Sequence, residues 1–165
     1  IDTEGNASDF GNLTQARGFF EGVENDTRGV FGGGNTSGAV NTMDYVTIAT
    51  LGDATDFGDL TVARFAVGAL SNDTRGVWGG GQYTETMDYI TIATLGDATD
   101  FGDLASARRY VVGVANNTRG VWAGGTISGS GSQNIMEYIT IATTGDTTDF
   151  GDLTTNRAEG ASVSD

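Results

Sequence analysis

The chain has 165 residues, with 22 acidic residues against 8 basic ones and a formal charge of −14; it contains no Cys, no His and no Pro, and all eight basic residues are Arg. These absences exclude a disulfide framework, thiolate or Schiff-base chemistry, a Ser-His-Asp triad, His-ligated zinc and a P-loop lysine. The charge argues against nucleic acid or an anionic membrane as partner, since both demand positive charge, and no apolar run approaches the roughly 18 residues of a membrane span.

The first element in chain order is a partial copy of a motif, Gly5 to Arg17 (GNASDFGNLTQAR), with a strand expected over Phe10 to Gln15. Three full copies follow, each containing a TRGV stretch, a glycine run, an M-D/E-Y stretch and a GD-x-TDFGDL stretch. The Arg that closes each copy stands at 17, 64, 108 and 157, so the period is 47, 44 and 49 residues. The division is therefore a partial repeat over 1–17, repeats over 18–64, 65–108 and 109–157, and a tail over 158–165. The whole variation in period lies between the last glycine of the run and the Met. Insertions concentrated in one loop of a repeat mark one face, often the binding face.

The middle copy shows the expected elements. Phe65 to Leu70 is short, apolar and compatible with a strand; Ser71 to Arg75 is turn chemistry. Gly76 to Gly80 reads as a second strand and Gln82 to Thr86 as the variable loop. Met87 to Thr94, rich in β-branched and aromatic residues, reads as a third strand. Gly96 to Thr99 is a turn, and Phe101 to Ala107 a fourth strand. No segment holds a helical period over ten residues. Four strands in 44 to 49 residues is the arithmetic of one β-propeller blade.

The strand ending in a glycine pair, the variable loop, the aromatic strand and the closing Arg resemble a kelch repeat. The matching residues are Gly79, Gly80, Tyr89, Phe101 and Arg108, with Gly33, Gly34, Tyr45, Phe57 and Arg64 in the preceding copy. The wording TRGVFGGG with YITIATLGDATDFGDL is also similar to repeats in structural or tail-fibre proteins of marine cyanophages. The resemblance implies an all-β chain of kelch-like propeller blades in a virion or other extracellular setting. Propellers have roughly four to eight blades, so three blades and one extra strand imply an arc of a larger ring, an excerpt of a longer chain, or an oligomer with an exchanged strand.

The acidic turns place Asp53, Asp56 and Asp59 in one copy, Asp97, Asp100 and Asp103 in the next, and Asp146, Asp149 and Asp152 in the last. They suit either Asx turns or a calcium site; no other cofactor or metal is expected. Arg28, Arg75 and Arg119 should lie at the same end of each blade as these turns. They are expected to pair with an aspartate such as Asp56, Asp100 or Asp149, or with a backbone carbonyl, in their own or the next copy. The glycine runs lack the context of a nucleotide loop, and Ser71 to Trp78 resembles a displaced Asp-box. Phe31, Trp78 and Trp122 suit packing between blades, or sugar contact in a lectin-like alternative. N-x-S/T sequons occur at Asn6, Asn12, Asn25, Asn35, Asn72 and Asn116.

The non-repeated residues are left for recognition. They are Asn35, Thr36 and Ser37 in the first loop, Gln82, Tyr83, Thr84 and Glu85 in the second, and Ser128, Ser130 and Gln133 in the third (the loops spanning Asn35–Thr42, Gln82–Thr86 and Thr126–Ile135). Polar loops of this composition adapt to a partner surface. The expectation is a non-enzymatic structural or adhesive module that binds a cell-surface glycan or virion proteins and associates with itself. The alternatives are a carbohydrate-binding propeller using Tyr83, Trp78 and Trp122, or a scaffold assembling end to end as a fibre.

Overall fold

A computed structural model describes residues 6–160. Residues 1–5 of the partial repeat and 161–165 of the tail lie outside the described residues. The described chain contains strands and no helix, arranged as three antiparallel sheets of four or five strands.

The first sheet is a meander of β1 (Glu21–Glu24), β2 (Arg28–Gly32), β3 (Thr42–Thr47) and β4 (Thr55–Asp59). The second repeats it with β5 (Gly68–Ser71), β6 (Arg75–Gly79), β7 (Thr86–Thr91) and β8 (Thr99–Asp103). The third contains β9 (Val112–Ala115), β10 (Arg119–Ala123), β12 (Gly131–Thr140) and β13 (Thr148–Arg157), with the two-residue β11 (Thr126–Ile127) added beside β12. Each tight turn between the first and second strands is an Asx turn. The side-chain oxygen of Asn72 accepts the amides of Thr74 and Arg75 at 3.0 and 2.8 Å, and Asn25 and Asn116 do the same in their copies. The third and fourth strands carry a bulge that sets one residue of the DFG stretch out of register and turns Phe57 and Phe101 into the interior.

Several expected boundaries shift for physical reasons. Phe65 to Val67 crosses between sheets rather than joining β5: Ala66 has φ 56° and donates its amide to Phe19 O at 2.8 Å. The fourth strand stops at Asp103 because Leu104 turns away, its amide bound to Glu85 O at 2.8 Å. Phe10 to Gln15 forms no ladder strand. Its backbone bonds run sideways instead, with Phe10 O and Asn12 O accepting the amides of Gly52 and Ala54 at 2.9 and 2.8 Å. A fourth strand needs a third strand for its ladder, and the described residues hold no third strand for this partial copy.

The apolar core lies between sheets. Val23, Val30, Met43, Phe57 and Leu60 of the first copy pack on Val67, Trp78, Ile90 and Ile92 of the second. Leu70, Val77, Met87, Phe101 and Leu104 pack in the same way on Val111, Trp122, Ile139 and Ile141 of the third. A single sheet of this kind has no core of its own, and two facing copies make one.

Candidate functional site

Two repeated arrangements carry the polar chemistry. The first is a buried ion pair between successive copies. Each third strand presents one carboxylate on an otherwise apolar stretch: Asp44, Asp88 and Glu137. Each meets the closing Arg of the preceding copy. Arg17 lies 2.8 Å from Asp44 and Arg64 lies 2.7 Å from Asp88, and Arg108 pairs with Glu137. Asp44, Arg64, Asp88, Arg108 and Glu137 are the buried charged residues among the described residues, the Arg17 side chain is likewise without exposed surface, and every one belongs to these pairs. A hydroxyl adds a bond in each, from Thr14, Thr61 and Thr147 respectively. The guanidinium of Arg64 also donates to Trp78 O at 3.3 Å, and that of Arg108 to Gly124 O at 2.7 Å.

Burial shifts these groups in the direction desolvation dictates. It pushes the Asp88 carboxyl up, against the opposing pull of Arg64 and the Thr61 bonds, and draws Arg64 down. Arg108 is pushed down to about 10. Sequence reasoning took the closing arginines as punctuation and missed this role. The signal was present: an acid recurs in M-D/E-Y between inward-facing apolar residues, where an unpaired charge would not be tolerated.

The acidic turns form a second connection between copies. Oδ1 of Asp53, Asp97 and Asp146 accepts the backbone amide of Asn12, Asp59 and Asp103 at 2.8, 3.0 and 3.0 Å. Asp56, Asp100 and Asp149 are exposed and stand opposite the carboxylates Asp44, Asp88 and Glu137 in the ladder. Among the described residues no three carboxylates gather closely enough to hold a metal ion.

Arg28 and Arg75 take backbone carbonyls of the next copy, Ile92 O at 2.8 Å and Ile141 O at 3.0 Å, rather than Asp56 or Asp100. Each of the three TRG arginines lies over a tyrosine ring of its own sheet, Arg28 on Tyr45, Arg75 on Tyr89 and Arg119 on Tyr138, at 4.4 to 4.5 Å. The carboxylate half of the expectation for these arginines is therefore corrected. The guanidinium edges of Arg28 and Arg75 meet carbonyl dipoles of the next copy.

The variable loops leave from the opposite end of each sheet, because a four-strand meander puts the β1–β2 and β3–β4 turns at one end and the β2–β3 connection at the other. Phe19, Phe65 and Tyr110 hold the three copies together near this end, with ring centroids 6.2 and 6.5 Å apart. Thr36 and Ser37 are exposed, while Asn35 forms bridges with Gly18 and Ala39. Gln82 and Glu85 are exposed, and Thr84 Oγ1 lies 3.0 Å from Thr86 Oγ1. Tyr83 is half-buried beneath Arg109, 4.6 Å from guanidinium carbon to ring centre.

The third loop departs from expectation. Residues 126–135 form a hairpin of β11 and the start of β12, with Ser128 and Ser130 exposed at its tip. Gln133 thus sits on a strand opposite Arg157, its amide donating to Gly131 O at 2.8 Å. A longer insertion between paired strands extends the pairing, because its backbone groups need partners.

Trp78 and Trp122 have no exposed surface and are corrected as sugar contacts. The Trp78 indole donates to Glu21 O at 3.0 Å. Asn25 and Asn72 also donate to carbonyls of the next copy, Asp73 O and Asn117 O, so a glycan on either would remove a connection.

No protein-family model matches the chain, and no curated protein matches it.

Proposed function

We propose that the chain is a non-enzymatic structural or adhesive repeat module of a virion fibre or other extracellular appendage, built of kelch-like propeller blades, whose variable loops contact the partner. One observation carries this reading. Each buried charge among the described residues is spent on joining one copy to the next, which leaves no buried acid or base poised for catalysis. The variation in length between copies falls at the loop end, where Thr36, Ser37, Gln82, Glu85, Ser128 and Ser130 are exposed. The meander order of each sheet and the packing of successive sheets support blades. No helix among the described residues is long and apolar enough to cross a membrane.

Binding of the labelled chain to a panel of bacterial surfaces and to a glycan array tests this. Saturable binding is expected, and it should be lost when residues 35–37, 82–85 and 128–130 are replaced together by Gly and Ser. Retained binding after that replacement would place recognition elsewhere. Loss of glycan binding on Tyr83→Ala alone would favour the lectin-like alternative, with Tyr83 as its remaining aromatic contact.

A further inference from the structure

The two end sheets present complementary halves of the core that joins the inner ones. At each internal junction one copy contributes three apolar residues of its first three strands: Val23, Val30 and Met43, then Leu70, Val77 and Met87. The corresponding residues of the third sheet are Val114, Val121 and Met136. They are less covered: Val114 is 40% exposed, against 2% for Val23 and 5% for Leu70, and Val121 and Met136 are half-buried where Val30, Val77, Met43 and Met87 are wholly buried.

The other half of the junction stands at the opposite end of the chain. A cavity of about 390 Å³ is lined by Phe10, Leu13, Phe20, Phe31, Ile48 and neighbours. Phe20, Phe31 and Ile48 correspond by repeat position to Val67, Trp78 and Ile92, which cover the first trio at the internal junction, while Phe10 and Leu13, counterparts of Phe57 and Leu60, close the cavity from the side of the partial copy. Ile48 is 43% exposed where Ile92 and Ile141 are 0%.

We propose that the third sheet of one molecule docks head to tail onto Phe20, Phe31 and Ile48 of the first sheet of a second copy, with Val114, Val121 and Met136 as the inserted residues and segment 6–17 displaced. This deepens the reading above, since it rests on the same stacking of copies. Three observations argue for a second copy as the occupant.

The first is size matching. Gly32 and Gly79 make room for the next tryptophan: a Cβ on either would lie 2.8 Å from Trp78 or 3.0 Å from Trp122. The corresponding residue of the third sheet is Ala123, and the residue of the first sheet in the tryptophan position is Phe31. The larger residue at one end meets the smaller ring at the other, a pairing that exists only if the two ends meet.

The second is Gly29. Its counterparts Gly76 and Gly120 are needed because Val23 and Leu70 press on them, with a Cβ at 2.4 and 2.5 Å. A Cβ on Gly29 would find nothing closer than Val46 at 3.6 Å within the chain. In the assembly Gly29 receives Val114.

The third is charge. The closing Arg157 is exposed, but its carbonyl accepts the Gly125 amide at 2.9 Å, just as Arg64 and Arg108 accept those of Gly34 and Gly81. Its backbone already holds the seat from which the other closing arginines reach the next carboxylate, here Asp44 of the second copy. Arg17 and its flanking residues 6–16 occupy that place in the isolated chain. They lie in no ladder, whereas β13 is a ten-residue strand paired with β12, so 6–17 is the segment that yields.

A contact of this kind is heterologous, and it closes into a ring or extends into a filament. Sedimentation and light scattering of the full chain test it, using Val114→Glu to block one end and Ile48→Glu to block the other. The wild type is expected to associate as concentration rises, into a closed ring of two or more copies or a longer filament. Each variant alone should run as a monomer. Their equimolar mixture should give a species of twice the monomer mass and nothing larger, because one intact pair of ends remains. Arg157→Gln should weaken wild-type association at least tenfold. Should either variant lose its near-ultraviolet circular dichroism, Ala123→Leu and Phe31→Asp replace them. A wild type monomeric at millimolar concentration overturns the proposal, as does a mixture that stays monomeric, or single variants that still associate. Loss of surface binding with association intact would sink the adhesive reading and leave this one standing.

Discussion

The guanidinium of Arg64 lies 2.7 Å from Oδ2 of Asp88, across the boundary between two copies, and neither side chain has any exposed surface. Arg64→Met should lower stability by about 3–5 kcal/mol, because it leaves a buried carboxylate without its partner. Arg64→Met with Asp88→Leu should recover most of that loss, since an apolar pair needs no compensation. Urea unfolding of the three proteins measures both effects.

The Arg64→Met deficit should depend on pH. Burial pushes the Asp88 carboxyl above its ordinary value of 3.8 even beside Arg64, and the arginine is the main influence holding it down. Without it the folded-state pKa climbs further. A carboxyl raised in the fold destabilises fully above its folded pKa, and this penalty fades as pH falls towards the ordinary value. The deficit should therefore be largest near neutral pH and shrink on acidification. A deficit that stays constant or grows as pH falls would contradict the assignment.

Equivalent glycines should respond differently. Gly76→Ala puts a methyl 2.4 Å from Val23 Cγ2, and should cost about 1–3 kcal/mol through overpacking. Gly29→Ala meets nothing nearer than 3.6 Å. Measured on dilute protein, it should be neutral or stabilising by up to about 1 kcal/mol, since it restricts the unfolded chain.

The DFG glycine is bound by both backbone and space. Gly102 has φ +136°, and a Cβ there would sit 2.5 Å from Gly145 of the next acidic turn; Gly96 has φ +146° with no atom within 4 Å. Gly96→Ala should show the backbone strain alone, about 1–3 kcal/mol. Gly102→Ala should lose more, and hydrogen exchange should show the added opening at the Gly145 and Thr147 amides, which bond to Phe101 O and Asp103 O.

Trp78→Ala should cost about 3–5 kcal/mol, as expected for a wholly buried indole. Trp78→Phe keeps most of the volume but leaves Glu21 O without its donor, and should cost about 1–3 kcal/mol. Thermal melts of the two variants rank the effects.

The repeat itself was legible in the residues: four strands per copy, Asn-led turns and the end at which the loops vary follow from spacing, β-propensity and turn chemistry. These are local properties, and the sheets at 21–59 and 68–103 realise them within a few residues. The recurring acid of the M-D/E-Y stretch signalled a buried charge, but not that Arg17, Arg64 and Arg108 are its partners. A charge marks itself in sequence, but its partner lies 24 to 29 residues away, and only the packing of sheets decides which acid it meets. The same holds for Trp78 and Trp122, whose regular strand position fits a buried wedge or an exposed platform until the neighbouring sheet covers them. Gln133 joined a strand because a longer insertion could pair with itself, which depends on the backbone groups opposite. Sequence alone thus determined what each copy is made of. The tertiary structure decided which copy supplies the charge, the glycine or the aromatic ring that completes the next one, because those contacts lie between copies and carry no local signature.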